Sequence, residues 1–214
     1  MSIKHTKGVL DLTFADIGTE EALTKALMAG VAQQISSPSK KAMIDAPDDS
    51  NRETSANVAG NLKSPKKREP EVVKAVRLSN NLLENMDFLN SPFLSALDTS
   101  QILWLDLSFN KFVNISEAMA TNFPNVTTIY LHANNISRLS QLKKLKLFPN
   151  LKSLSLYGNP VEEHKHYRNY VLNMCPMVTQ FDSSPVTGSE RKRAAVWAQT
   201  FRKILNREDD DDYY

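Results

Sequence analysis

From Val73 onward the apolar residues fall into one recurring pattern. Val73, Val76, Leu78, Asn81 and Leu83 follow the spacing L-x-x-L-x-L-x-x-N-x-L, as do Ile102, Leu105, Leu107, Asn110 and Phe112. Two further copies are Val126, Ile129, Leu131, Asn134 and Ile136, then Leu151, Leu154, Leu156, Asn159 and Val161. Their starts at 73, 102, 126 and 151 lie 29, 24 and 25 residues apart, the period of a stacked coil whose units cannot bury a core alone. The central pair predicts a short parallel strand in each unit, with its apolar residues inward and the residues between them outward. The asparagines Asn81, Asn110, Asn134 and Asn159 close the turn after each strand, and their amides are expected to stack as a ladder that satisfies bent backbone. Met119, Leu139, Leu142, Leu145 and Leu147 suit helical turns on the opposite side, and Phe-Pro-Asn at 123–125 and 148–150 punctuates each return into a strand.

The expected architecture is therefore an α/β solenoid over 71–186, with a short parallel sheet on the concave face, a helical or irregular convex side and a helical C-terminal cap. That cap reads as an amphipathic helix over roughly 161–174 with Tyr167, Tyr170, Val171 and Met174 on one face, then Val178 and Phe181-Asp182 as a truncated last strand. Residues 187–207 form a basic amphipathic helix in which Val196, Trp197, Phe201, Ile204 and Leu205 are the apolar set. The flanks differ in composition. Residues 36–70, rich in Ser, Pro, Asp, Asn and Lys, read as a disordered basic linker. Residues 1–35 read as a docking segment, with Leu10-Asp11-Leu12-Thr13-Phe14 and a run over 17–35 placed on the solenoid or on a partner. Residues 208–214 are an acidic tail, a solubilising end.

These repeats resemble the intracellular leucine-rich-repeat group that includes the regulatory repeat subunit of protein phosphatase one, an axonemal dynein light chain and the A-prime protein of the spliceosomal U2 particle. Pro160-Val161, Tyr167-Arg168, Tyr170-Val171 and Phe181-Asp182 are similar to that group's cap motif. A narrower likeness, over about 71–200, is carried by the segments Trp104 to Asn110, Tyr130 to Asn134, Tyr157 to Pro160, Tyr167 to Leu172 and Val196-Trp197. It is to a group member associated with ciliated cells, in which the segment from Leu10 to Phe14 also has a counterpart. The resemblance implies a protein-binding adaptor or structural subunit of a large assembly, the ciliary or flagellar axoneme, with partners that are axonemal or microtubule-associated. The alternative it implies is a regulatory subunit of a protein phosphatase.

Strand alternation lists the concave face. Arg77, Asp106, Tyr130 and Ser155 form one column, with Ala75, Trp104, Thr128 and Ser153 on one side and Ser79, Ser108, His132 and Tyr157 on the other. Arg77, Trp104, Asp106, Phe109, Tyr130, His132 and Tyr157 are thus the candidate partner-binding residues, since aromatic anchors dominate interface energetics. Packing of Trp104 against its neighbours or a docked terminal segment is the other reading of that residue.

Composition narrows the chemistry. With 214 residues, 41% of them hydrophobic, and a net charge of +2, the chain suits one folded domain and has no overall pull toward nucleic acid or membrane. Local basic runs at Lys66, Lys67, Arg68 and at Arg191, Lys192, Arg193 are either solvated charge or salt-sensitive contacts to acidic surfaces. Ser37-Pro38 and Ser64-Pro65 suit proline-directed phosphorylation. The single Cys175 excludes an internal disulfide and fits a reducing compartment, and no apolar run approaches a membrane span. His164 and His166, two residues apart, face different directions on a helix and do not jointly grip a metal. No nucleophile elbow, phosphate loop or dinucleotide fingerprint is present. The expectation is a cytoplasmic, axonemal protein with no enzymatic activity, no cofactor, no metal, no membrane contact, no nucleic acid partner and no case for a homo-oligomer.

Overall fold

The computed structural model describes residues 4–29 except 7, 14, 16, 20 and 27, and residues 72–201 except 91–93, 95 and 96. Residues 30–35 of the docking segment and Phe14, the linker over 36–70 with Lys66, Lys67 and Arg68, the end of the helix expected over 187–207 with Ile204 and Leu205, and the tail over 208–214 lie outside the described residues.

Because each repeat gives only a few residues to its strand before turning back, the sheet is built of very short strands. They are β1 (Lys4–Thr6), β2 (Val9–Asp11), β3 (Ala75–Arg77), β4 (Trp104–Asp106), β5 (Thr128–Tyr130), β6 (Ser153–Ser155), β7 (Gln180–Phe181) and β8 (Ser184–Pro185). They pair in sequence order. Pairing is parallel from β2 through β7, and an antiparallel hairpin strand closes each end. The register stacks Leu10, Val76, Leu105, Ile129 and Leu154, followed by Phe181, as one inward column. All six are buried, and burying a side chain of this size contributes about 1.5–3 kcal/mol.

The sheet begins before residue 71, where the sequence reading starts the repeats. Val9, Leu10 and Asp11 lie opposite Ala75, Val76 and Arg77, so the segment read as a docking element is a first repeat laid onto the solenoid. Leu12, Ile17 and Leu23 complete its core, Leu23 on a short helix α1 over 21–26. Gly8 at φ +70° turns the chain from β1 into β2, and a Cβ there would sit 3.2 Å from the Val72 carbonyl oxygen.

The asparagine ladder runs as the pattern requires. Asn110 Nδ2 donates to Leu107 O at 3.2 Å within its repeat and to Leu78 O at 2.9 Å in the preceding one, while its Oδ1 accepts from Leu83 N at 3.2 Å. Asn134 and Asn159 repeat this arrangement. Asn81 extends it to the first repeat, donating to Leu12 O and accepting from Ala15 N and Ile17 N. Asp182 ends it, accepting from Leu156 N and Tyr157 N and from the Tyr167 hydroxyl. Burial pushes the Asp182 carboxyl up from its ordinary value despite these three donors. Burial first, and the adjacent Asp182 second, push the Tyr167 hydroxyl far above the phenol range.

On the convex side lie α2 (Ala118–Asn122) and α3 (Leu139–Leu142), with 3-10 turns at Asp87–Asn90, Thr99–Gln101 and Lys143–Leu147. The Phe-Pro-Asn turns place Phe123 and Phe148 in the core, and each phenylalanine carbonyl accepts the N–H three residues on. Cys175-Pro176-Met177 makes the same turn, with Val178 N donating to Cys175 O. Buried there, the Cys175 thiol is pushed up to about 12.

The cap departs from the expected single helix over 161–174. A 3-10 turn at Pro160–Glu163 stops at His164, and α4 starts only at Tyr167 (Tyr167–Met174). His164 Nδ1 accepts from His166 N at 3.2 Å, a local bond that competes with a continuing helix. The two histidines are therefore in a turn between helices. The last helix, α5 (Gly188–Thr200), opens with a capping box between Thr187 and Glu190 and packs on α4 through Ala194 and Trp197. Its bonds to Thr187 and Arg168 hold Glu190 at about 2. Val196, expected in the apolar set, is 62% exposed, because its place on α5 falls on the side away from α4.

Candidate functional site

Register places the outward residues in the expected columns. Trp104 lies opposite Ala75 and Thr128, and Asp106 opposite Arg77 and Tyr130. The two ends of the face have different chemistry.

At the N-terminal end the charges are already engaged. Arg77 Nη1 lies 3.1 Å from Asp11 Oδ2 and its Nε 3.4 Å from Asp106 Oδ2, while its guanidinium carbon sits 5.8 Å from the Trp104 ring centroid. Asp106 is buried and accepts from the Ser108 hydroxyl at 2.6 Å. Asp11 accepts in the same way from the Thr13 hydroxyl, also at 2.6 Å. Arg77 and Asp106 are thus brought to the face but spent on one another, a network that fixes the strands' outward side. Trp104 is half-buried, and its Nε1 has no hydrogen-bond partner among the described residues.

Toward the C-terminal end the face is aromatic. Trp104 meets Tyr130 edge to face at 5.7 Å, Tyr130 lies 5.9 Å from His132, and His132 stacks on Tyr157 at 4.5 Å with an interplanar angle of 10°. Phe109 meets His132 edge-on at 5.2 Å. His132 Nδ1 lies 2.8 Å from Ser155 Oγ. Burial lowers the His132 pKa, against the opposing pull of Asp106 and Asp182, so the imidazole stays neutral at lower pH than a free one.

Phe109 sits at φ +52° and is 49% exposed. The residue before each ladder asparagine adopts this left-handed conformation, as at Asn80, Ala133 and Gly158. Asparagine and glycine tolerate it, whereas a bulky side chain does so at a cost.

The basic groups separate. Arg191 turns inward, donating to the carbonyls of Leu172 at 2.7 Å, Cys175 at 3.0 Å and Val178, so it closes the C-terminal end of α4 and is no part of a free basic patch. Lys192 and Arg193 are exposed. His166 Nδ1 accepts from Trp197 Nε1 at 3.1 Å. Among the described residues no group of three or more His, Cys, Asp or Glu is placed to hold a metal ion, and no helix is long and apolar enough to cross a membrane.

Sequence reading missed the contributions of β2 and β7 to this face, including Asp11, Thr13, Gln180 and Ser183. The signal was present, since Leu10-Asp11-Leu12-Thr13 repeats the residue types of Leu105-Asp106-Leu107-Ser108. It went unused because Ala15 stands where the ladder asparagine would be.

Comparison with known proteins places this geometry. The leucine-rich-repeat family profile matches residues 70–207. The chain is 42% identical over 127 residues to leucine-rich repeat-containing protein 51 of Rattus norvegicus, covering 59% of this chain and 66% of the relative. It is 41% identical to the Homo sapiens protein of the same name, with the same coverage. The chain thus spans just under two thirds of the length of these relatives. It is 36% identical over 105 residues to U2 small nuclear ribonucleoprotein A' of Aspergillus fumigatus, covering 49% of this chain and 40% of that one. Among solved structures, the Drosophila melanogaster SNF/U2A' complex contains a chain that superposes with a TM-score of 0.56 at 28% identity, covering 63% of this chain and 75% of its own.

Proposed function

This chain belongs to the leucine-rich-repeat family, a family of protein-interaction modules, and from that premise we propose that it is a non-catalytic adaptor or structural subunit of the ciliary or flagellar axoneme. It grips a protein partner on the concave face of its sheet. One observation carries the reading: Trp104, Tyr130, His132 and Tyr157 form a continuous aromatic row there, flanked by a half-exposed Phe109 held in a conformation that disfavours its side chain. Aromatic groups partly open to water on a rigid surface are the usual anchors of interfaces. The similar solved structure comes from a complex, consistent with a solenoid of this kind serving as half of an assembly. The axonemal setting rests on the likeness of the Trp104 to Asn110 and Tyr157 to Pro160 segments to the member associated with ciliated cells.

The experiment is affinity capture of the tagged full chain from ciliated cells, beside a Trp104→Ala/Tyr130→Ala variant whose circular dichroism and melting confirm folding. Axonemal proteins are expected on the wild-type chain, with recovery falling at least about tenfold on the variant, since the loss of even one anchor at about 2 kcal/mol weakens affinity roughly 30-fold. Unchanged recovery on a folded variant removes the concave face from the reading. Enrichment of a phosphatase catalytic subunit without axonemal proteins replaces the adaptor with a phosphatase regulator.

A further inference from the structure

The segment that carries the chain from β5 back to β6 is charged in one sense only. Between Glu117 and Glu162 the sequence holds no Asp or Glu, yet that stretch carries Arg138, Lys143, Lys144, Lys146 and Lys152. Arg138 precedes α3, three of the lysines lie on the 3-10 turn Lys143–Leu147 that follows it, and Lys152 stands at the re-entry into β6. Leu145 is buried and anchors the turn, whereas Lys146 and Lys152 are exposed and Lys144 is half-buried.

The elements packed against this turn do not neutralise it. They are α3 and α4, and neither contains a carboxylate. Arg168 on α4 is itself paired with Glu190 at 2.8 Å. Lys144 Nζ donates to Gln141 Oε1 at 2.9 Å, a neutral partner. Among the described residues no carboxylate pairs with Lys144, Lys146 or Lys152. Glu162, where acidic residues resume, is turned back on its own repeat and accepts from Gly158 N at 2.6 Å. Three ammonium groups on one short turn repel one another, and an anion laid along them removes that repulsion.

The apolar groups beside the lysines choose among anions. Leu147 ends the turn 42% exposed, and Met177, 56% exposed, holds in the next repeat's turn the place that Asn150 has after Phe148-Pro149. Single-stranded nucleic acid is held by basic grooves that also offer aromatic stacking platforms, and the ring on this return, Phe148, is buried. A membrane surface needs a broad apolar face on a basic helix, and the turn exposes one leucine. A peptide that carries carboxylates between apolar side chains answers both the lysines and Leu147.

We propose that this convex ridge of Lys144, Lys146 and Lys152 is a second docking surface, taken by an acidic segment of a protein partner. It lies on the opposite side of the sheet from the aromatic row and works independently of it.

The test measures binding of an acetylated octaglutamate peptide to the full chain by calorimetry, beside oligothymidylate and vesicles of phosphatidylcholine with phosphatidylserine. The peptide is expected to bind, to weaken as salt is raised, and to lose about tenfold in affinity in Lys144→Gln/Lys146→Gln. Affinity should be unchanged in Trp104→Ala/Tyr130→Ala, which separates this surface from the concave grip. An equal loss in Lys192→Gln/Arg193→Gln, whose side chains are exposed on α5, would reveal general attraction and overturn the proposal. So would tighter binding of oligothymidylate or of the vesicles through the same two lysines. If the peptide binds only once Glu208, Asp209, Asp210, Asp211 and Asp212 are changed to their amides, the chain's own acidic run holds the ridge and the outside partner falls. The adaptor reading survives any of these failures, because its test rests on Trp104 and Tyr130.

Discussion

Phe109 shows how one residue can serve a surface at the expense of the fold. The turn before Asn110 demands positive φ, and the equivalent positions hold Asn80, Ala133 and Gly158. A non-glycine residue in that region costs about 1–2 kcal/mol, which the exposed ring does not recover by burial. Phe109→Asn is therefore expected to leave the urea midpoint unchanged or raised, by up to about 1 kcal/mol in unfolding free energy, while partner capture falls. A clear loss of stability would mean that the edge-on contact with His132 outweighs the backbone strain. The outward columns were legible in the sequence because strand alternation alone decides them. The strain at Phe109 was not, since it arises from a turn that the asparagine ladder imposes, and only the company of Asn80 and Gly158 at that position hinted at it. Nor was the pairing of Arg77 with Asp11, because it depends on a strand from far along the chain.

Among the elements, the C-terminal cap is the part where pattern and structure diverged most. Helical spacing over 161–174 was real, yet His164 offers its ring nitrogen to the His166 backbone and the helix restarts at Tyr167. The basic run at 191–193 was legible as charge, but composition does not tell which member turns inward. Arg191 does, and its guanidinium ties α5 to the carbonyls at the end of α4 and to the Cys175 turn. Hydrogen bonds from a charged donor contribute about 1.5–3 kcal/mol each, so Arg191→Ala is expected to lower stability by at least about 2 kcal/mol. Cys175 reports on the same event. Burial holds its thiol at about 12, so the wild-type chain should resist a disulfide reagent at neutral pH while Arg191→Ala reacts measurably faster. Equal labelling rates would show that the cap stays closed without this residue.

At the scale of the whole molecule, the solenoid is quasi-one-dimensional, each repeat touching only its neighbours. The four repeats from Val73 were readable because their spacing is regular. The first was hidden by the long segment that separates Asp11 from Arg77, although the two lie opposite each other in the sheet. This repeat covers the edge of β3 and supplies Leu10, Leu12, Ile17 and Leu23 to the core. Loss of it should therefore propagate from one end and not melt the molecule uniformly. Placing a carboxylate in the column by Leu10→Asp leaves a buried charge without a partner, a change worth several kcal/mol locally. Hydrogen exchange on that variant is expected to show protection lost at β2 and β3, reduced at β4, and retained at β6 and β7, since nearest-neighbour coupling decays along a stack. Protection lost equally through β7 would mean that the asparagine ladder, continuous from Asn81 to Asp182, couples the repeats into one cooperative unit. The aromatic row runs from Trp104 on β4 to Tyr157 just past β6, so the expected pattern leaves Tyr130, His132 and Tyr157 folded and loosens only the Trp104 end. On that pattern the same variant should keep most of its partner capture and lose only the share that Trp104 contributes, which makes the first repeat chiefly a cap that protects the sheet edge.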